Sequence, residues 1–228
     1  MVKRILETAG VAAALLLAPR LAGAIEDFQY RSRADLRWVE TDHWLVNTWG
    51  EVRFTDDAGK FTNWRVSGQA QYTPRRMFTF GVGYTFIRQD GFDVLKNRDT
   101  DLATHRLELD ATPHFDLSEH TRFNLRARFE NRWIEGSSAW NPQARFRPEL
   151  VFTVHGCGPL AEVFTSDEIF YDLKADRLAE NRFIPAGITL ALGHQTRLRL
   201  YYLLDSIHTA TDWSQLHVLQ TQLIFNLR

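Results

Sequence analysis

The amino-acid sequence predicts an all-β fold, an antiparallel transmembrane β-barrel of about ten strands, with twelve as the alternative count. Three observations support this prediction. Apolar and polar residues alternate with a period of two in one segment after another, as in strands with one apolar and one polar face. The first 24 residues have the composition of an export signal. Aromatic residues recur at segment ends, where membrane barrels carry aromatic girdles.

Residues 1–24 contain the three parts of a secretory signal peptide. Lys3 and Arg4 give a positively charged start, residues 9–18 form a short apolar stretch, and Ala-Gly-Ala at residues 22–24 provides a cleavage site. The apolar stretch is too short to span a bilayer as a helix. We therefore predict a cleaved signal peptide and export to the outer membrane. The alternative is an N-terminal amphipathic helix.

The composition and the motifs limit the possible functions. The net charge of −1 provides no electrostatic footprint for nucleic acid. The single cysteine, Cys157, cannot form an intrachain disulfide, and together with His155 it offers too few ligands for zinc. The sequence has no glycine-rich phosphate loop and no nucleophile elbow. We therefore predict no cofactor, no metal and no nucleic-acid partner, and we do not expect an enzyme.

Ten segments after the signal carry the alternation. It is clearest in residues 121–133, where even positions carry charged or amide side chains and odd positions include Phe123, Leu125 and Phe129. In the seventh segment Asp167 falls on the apolar face, which indicates a bulge or the edge of the bilayer. The ten segments are residues 44–54, 61–72, 77–86, 104–115, 121–133, 144–154, 160–171, 183–192, 196–204 and 219–227.

The connections between the segments alternate in length. Short ones lie at residues 74–76, 116–120, 155–158 and 193–195, and longer ones at residues 89–99, 135–141, 172–180 and 209–213. Outer-membrane barrels have short periplasmic turns and longer outer loops. A soluble β-sandwich, the alternative, would also alternate, but it would pack its apolar faces into one core. The export signal and the aromatic segment ends favour the barrel.

The predicted organisation has three parts. These are a signal peptide at residues 1–24, a lead-in or extra strand at residues 25–42, and the barrel at residues 43–228. The middle part contains Tyr30, Trp38 and several arginines, so it could be a periplasmic lead-in, a plug in the lumen or a further strand. Since bacterial barrels prefer even strand numbers, ten strands would leave this part outside the wall.

Four short runs resemble a known family. They are Arg-Ala-Arg-Phe-Glu-Asn-Arg at 126–132, Phe-Arg-Pro-Glu-Leu at 146–150, Glu-Val-Phe at 162–164 with Asp-Glu at 167–168, and Asn-Arg-Phe at 181–183 leading to Gly187. Through these runs the mature chain resembles domain-of-unknown-function family 2490. The members of this family are bacterial proteins of about this length that are expected to form outer-membrane barrels. The resemblance implies an outer-membrane location in a Gram-negative cell. It supplies no activity and no catalytic residues.

The polar faces predict a charged lumen, surrounded on the outside by outer-membrane lipid. A ten-stranded barrel has a narrow lumen, so we expect its charges to be paired. Arginine suits such pairing because its planar guanidinium binds a carboxylate at two points. The residues expected in this network are Glu51, Arg53, Arg65, Arg106, Glu108, Asp110, Arg122, Arg126, Arg128, Glu130, Arg132, Arg145, Arg147, Glu149, Glu162, Glu168, Arg197 and Arg199.

Two alternatives for the function stay open. The arginines, with space left by Gly81 and Gly83, could form a small porin-like channel with a mild preference for small anionic solutes. The second alternative is a hydrolase that acts on lipid, with Ser206, His208 and His217 as candidate catalytic residues near the lipid-facing rim. A nucleophilic serine needs a base within hydrogen-bond reach and a third group that orients the base. The sequence does not indicate whether the protein is a monomer or an oligomer.

Overall fold

Eleven β-strands form one closed sheet in the computed structural model of the protein, which describes residues 25–93, 98–137, 140–208 and 212–227. The predicted signal peptide, residues 1–24, lies outside the described residues. No helix in the described ranges is long and apolar enough to cross a bilayer. The strands are β1 (Ile25–Glu40), β2 (Trp44–Thr55), β3 (Lys60–Arg75), β4 (Phe78–Asp93), β5 (Arg98–Ser118), β6 (Thr121–Ile134), β7 (Asn141–Thr153), β8 (Leu160–Asp172), β9 (Arg177–Ala191), β10 (Thr196–His208) and β11 (Trp213–Asn226).

The sheet closes through a parallel pairing of β1 with β11, whereas every other neighbouring pair is antiparallel and consecutive in sequence. An odd number of alternating strands forces this geometry, because the first and the last strand then run in the same direction. The Tyr30 hydroxyl and Thr221 Oγ1 are 2.9 Å apart across the seam. The predicted fold class is confirmed. The strand number lies between the predicted ten and the alternative twelve, because residues 25–42 contain the wall strand β1.

The barrel has two different ends. The turn end carries the connections 41–43, 76–77, 119–120, 154–159 and 192–195 and the last residues of β11. The loop end carries the connections 56–59 and 173–176, the last residues of β4, β6 and β10, and the start of β1. The connections differ less in length than the sequence predicts. Strands β4 and β5 stay paired as far as Asp93 and Arg98, so most of the predicted loop 89–99 is a hairpin.

The distribution of side chains is inverted with respect to a soluble β-protein. On the outside of β4 and β5, Phe80, Val82 and Leu109 are each about half exposed, at 51 %, 48 % and 49 %. On the inside, the carboxylates Glu108 and Glu130 are at most 1 % exposed. A β-sandwich would bury the apolar residues and expose the charges. Alternation with apolar residues outside and polar residues inside is typical of a membrane barrel.

Aromatic side chains form contacts near both ends of the barrel. At the turn end the ring centroids of Trp44 and Tyr72 are 4.7 Å apart. At the loop end those of Trp64 and Phe86 are 5.5 Å apart. Aromatic residues at these two levels match the girdles that mark the membrane interfaces of barrels.

Strand β9 contains an extra residue next to Asp167 of β8, whereas Asp167 itself keeps the outward phase of its own strand between the buried Ser166 and Glu168. Pairing with β8 shifts between Phe164 and Ser166, and Pro185 lies in the part of β9 that is skipped. A bulge is one of the few places in a sheet where proline fits, because proline has no N–H to donate. Asp167 lies on the outer face, where its carboxylate accepts a 2.6 Å hydrogen bond from the Asn181 amide.

Beside this bulge, the Phe164 ring lies directly on the backbone of Gly187. A Cβ atom at position 187 would be 2.2 Å from Cζ of that ring, so no other residue fits without movement. The guanidinium of Arg199 covers the ring at 4.0 Å from its centroid. This stack joins β8, β9 and β10 inside the lumen.

Substitution Gly187→Ala should destabilise the barrel, because the added methyl group must displace Phe164. Overpacking of this kind costs about 1–3 kcal/mol. The free energy of unfolding can be measured by urea titration of refolded protein in detergent micelles. Gly68→Ala is the matched control, because no atom lies within 4 Å of the Cβ position at Gly68. Equal stability of the two variants would contradict the tight stack.

Candidate functional site: the charged lumen

The loop-end half of the lumen is filled by side chains. Inward residues of several strands are almost completely buried there, with at most 3 % exposure: Thr85, Ile87, Glu130, Phe170, Asp205 and Val218. The set mixes apolar groups with carboxylates. Since a carboxylate without water needs cationic partners, the fold depends on how these charges are paired.

Glu130 is the centre of the largest group of ion pairs. Its carboxylate lies 2.7 Å from the Arg132 guanidinium, 3.5 Å from that of Arg106 and 3.8 Å from that of Arg128, and it contacts Arg145 directly. These residues come from β5, β6 and β7. Because the four arginines share one buried carboxylate, Glu130 joins three neighbouring strands from the inside.

Asp205 has the same role on the other side of the lumen. Its carboxylate accepts a 2.7 Å hydrogen bond from Arg31 and lies 3.3 Å from Arg182, which also contacts Glu180. The Phe170 ring lies between the two groups, with the Arg182 guanidinium 4.7 Å and the Arg145 guanidinium 4.1 Å from its centroid. The two groups therefore meet across the lumen and close its loop-end half.

Arg128 connects two carboxylates of β5 to this network. It binds Asp110 at two points, with distances of 2.6 and 2.9 Å, and lies 2.7 Å from Glu108. The two-point geometry is the one that a guanidinium favours.

Two further carboxylates are shared by pairs of arginines. Glu51 lies 2.7 Å from Arg53 and 3.6 Å from Arg65. Glu168 binds Arg145 at 2.9 Å and also contacts Arg126.

A cavity of about 400 Å³ lies in the lumen and is lined from the turn end as far as Arg53 and Arg182 in the loop-end half. It reaches the turn end beside Leu45, Thr79 and His114. Its charged lining consists of twelve arginines and six carboxylates, namely Arg31, Arg33, Arg37, Arg53, Arg65, Arg106, Arg126, Arg128, Arg145, Arg147, Arg182 and Arg199 with Asp35, Glu51, Glu108, Asp110, Glu149 and Glu168. The cavity is therefore strongly cationic.

Polar side chains form a continuous chain of hydrogen bonds along one side of this cavity. Thr79 Oγ1 is 2.8 Å from His114 Nε2, and His114 Nδ1 is 2.8 Å from the side-chain oxygen of Asn124. The Asn124 amide then donates to Glu149 at 3.2 Å, and Arg199 donates to the same carboxylate at 3.4 Å. Glu149 thus has two partners of its own.

Four of the predicted lumen residues lie apart from the paired network. Arg122 is exposed at the turn end, 2.7 Å from Asp116, and Arg197 is exposed at the same end. Glu162 is half-buried in β8 close to that end. Arg147 lines the cavity, and within the described part of the chain it has neither an ion pair nor a hydrogen-bond partner for its buried Nε.

Sequence reasoning missed the contribution of β1. Arg31, Arg33 and Asp35 all line the cavity, and Arg33 stacks at 4.1 Å over Trp49 while binding Asp35 at 2.8 Å. The signal was present in the sequence, because polar residues occupy the odd positions from 29 to 37. Arg182 of β9 was missed as well.

The hydrolase candidates do not come together as a catalytic group. In the described ranges no hydrogen bond joins Ser206 to either histidine. The Tyr202 hydroxyl contacts His217 Nδ1, and the His208 ring lies 5.1 Å from the Trp213 ring. Asp205 points into the lumen, where it binds Arg31, so it cannot orient a base on the outer face. The hydrolase hypothesis therefore has no geometric support.

Metal ligands are also dispersed. Among the described residues, no group of three or more histidine, cysteine, aspartate or glutamate side chains could hold a metal ion. Cys157 is exposed and has a free thiol.

Substitution Glu130→Gln should strongly destabilise the barrel, because it leaves four arginines around a neutral amide. Breaking a buried ion pair from one side costs about 3–5 kcal/mol. Urea titration in micelles measures the loss. Asp116→Asn, which removes one partner of the exposed pair with Arg122, is the control and should leave the unfolding midpoint unchanged. A similar effect of both variants would argue against Glu130 as the centre of the network.

The fold resembles that of a solved barrel. The β domain of the Bordetella autotransporter Brka matches with a TM-score of 0.51 and 12% sequence identity, over 79% of this chain and 82% of that chain. At this identity the likeness concerns the fold alone. No curated protein matches the sequence. The sequence profile of one family matches residues 27–216, from β1 into β11. The predicted family is thereby confirmed, and the chain belongs to the family described as "Protein of unknown function (DUF2490)".

Proposed function

We propose that this protein is an outer-membrane barrel whose lumen is sealed by ion pairs in its loop-end half. The observation that carries the proposal is the complete burial of Glu130 and Asp205, each surrounded by arginines. We assign the turn end to the periplasm and the loop end to the outside, as in other outer-membrane barrels. The cavity then faces the periplasm.

The outer face supports the membrane location. Large apolar residues such as Phe80, Val82 and Leu109 would be exposed to water on a soluble protein. A continuous apolar band of this kind needs lipid or another apolar partner. The predicted export signal supports the same location.

The location can be tested by membrane fractionation combined with gel electrophoresis. We expect the mature protein in the outer-membrane fraction, with an electrophoretic mobility that changes on heating, because a closed barrel resists detergent at room temperature. Recovery from the soluble periplasm, without a heat-dependent shift, would refute the membrane location.

The sealed lumen can be tested by planar-bilayer conductance. Wild-type protein should show little steady conductance, whereas the double variant Arg31→Ser/Asp205→Ser should conduct. This variant removes both partners of one buried pair, while Arg182 keeps its contact with Glu180. It therefore opens space without leaving an unpaired charge.

The matched control is Arg122→Ser/Asp116→Ser, which removes an exposed pair at the turn end. It should behave like the wild type. A large steady conductance of the wild-type protein would rule out the seal.

One observation favours a second candidate, a small channel with a mild preference for anions. The cavity lining has twice as many arginines as carboxylates, and rings of arginine favour anionic solutes. This candidate requires that the loop-end half opens. An anion-selective reversal potential in salt gradients, recorded on wild-type protein, would support it over the sealed barrel.

A further inference from the structure

We infer that the cavity contains a binding site for a small, multiply charged oxyanion, centred on Arg147 and completed by Arg126 and Arg199. All three side chains line the cavity. The inference goes beyond the sealed barrel, and it rests on that proposal only for the side from which a ligand arrives.

Arg147 forms no ion pair among the described residues, although it lies in a lumen where most arginines are paired. In the register of β6 with β7, Arg147 lies directly opposite Arg126. Like charges in directly opposite positions of neighbouring strands repel each other. Elsewhere in the lumen such a pair is relieved by a shared carboxylate, as for Arg128 and Arg145, which both contact Glu130. Arg147 has no such partner within the described chain.

Two carboxylates close to Arg147 in the fold already bind other arginines. Glu168 binds Arg126 and Arg145. Glu149 accepts hydrogen bonds from Asn124 and Arg199. Both carboxylates also attract Arg147 through space, but neither forms an ion pair with it, so their negative charge is shared among several arginines. A bound anion would supply the missing negative charge.

Hydrogen-bond donors remain available on all three arginines. The Nε atoms of Arg126, Arg147 and Arg199 are buried and have no hydrogen-bond partner among the described residues, as is also true of Nε in Arg31, Arg65, Arg106 and Arg182, but of these arginines only Arg147 forms no ion pair as well. A buried donor without an acceptor is unfavourable, and a guanidinium matches the oxygens of a carboxylate or a phosphate. Three guanidinium groups favour a ligand that carries at least two negative charges.

The size and position of the cavity define the ligand further. Its volume of about 400 Å³ suits a small solute. The side chains of Thr79 and His114 lie towards the turn end, so they can contact the polar part of a ligand that enters there. Because the loop-end half is filled, the ligand would bind and leave by the same side.

The site can be tested by calorimetric titration of refolded protein in a neutral detergent. The probes are pyrophosphate and citrate as multiply charged oxyanions, and acetate and glucose as a singly charged and a neutral control. We expect both multivalent anions to bind at least 10-fold more tightly than acetate, and glucose not to bind. Added salt should weaken binding, because the attraction is electrostatic.

Arg147→Gln should weaken pyrophosphate and citrate binding at least 10-fold. Without ligand, its urea unfolding midpoint should be equal to or above that of the wild type, since it removes an unpaired charge. Arg197→Gln is the matched control, because Arg197 is an exposed arginine outside the cavity lining. It should bind like the wild type.

Three results would overturn the site: no binding of either multivalent anion at millimolar concentration, equal binding by Arg147→Gln, or a loss of stability in the ligand-free variant. The last would show that Arg147 has a structural role. The binding assay and the conductance assay fail independently. A sealed barrel without anion binding refutes only the site, and a conducting barrel that binds anions at Arg147 refutes only the seal.

Discussion

Charges on the inner face of a narrow closed sheet can find partners only on the strands around them. Alternation turns every second residue inward, and the lumen leaves little water to solvate it. Each buried carboxylate therefore collects several arginines, as Glu130 does from β5, β6 and β7. Since a one-residue slip would turn these groups outward, strand register and ion pairing depend on each other.

The part of this structure that depends on local pattern was predictable. Alternation in residues 121–133 is visible in the sequence alone, and it indicates both the fold class and the charged inner face. Partners across strands were not predictable, because they depend on register and on the tilt of the strands. Arg31 and Asp205, for example, are separated by 174 positions in the sequence. The sequence did not decide whether residues 25–42 form a wall strand, because an even strand number was expected. The alternation within β1 is nevertheless regular.

Each of the four runs that resemble the family contributes residues to the inner face. The first contains Glu130, the second Arg147 and the third Phe164. The fourth leads to Gly187, which carries the Phe164 ring. The family resemblance thus rests on the same residues that pair charges, line the cavity and allow the tight stack. For this chain, functional questions are best directed to the lumen and not to the connections at either end.

The parallel seam between β1 and β11 has a consequence for the engineering of this barrel. Ile25 lies at the loop end beside Gln215, whereas Asn226 lies at the turn end beside Arg37. In barrels with an even number of strands, both termini meet at one rim, and a short linker can join them in a circularly permuted chain. Here a linker would have to run about 35 Å along the wall, given the rise per residue and the tilt of the strands. New termini can therefore not be introduced by simple permutation, and the order of the strands in the chain is tied to the closure of the barrel.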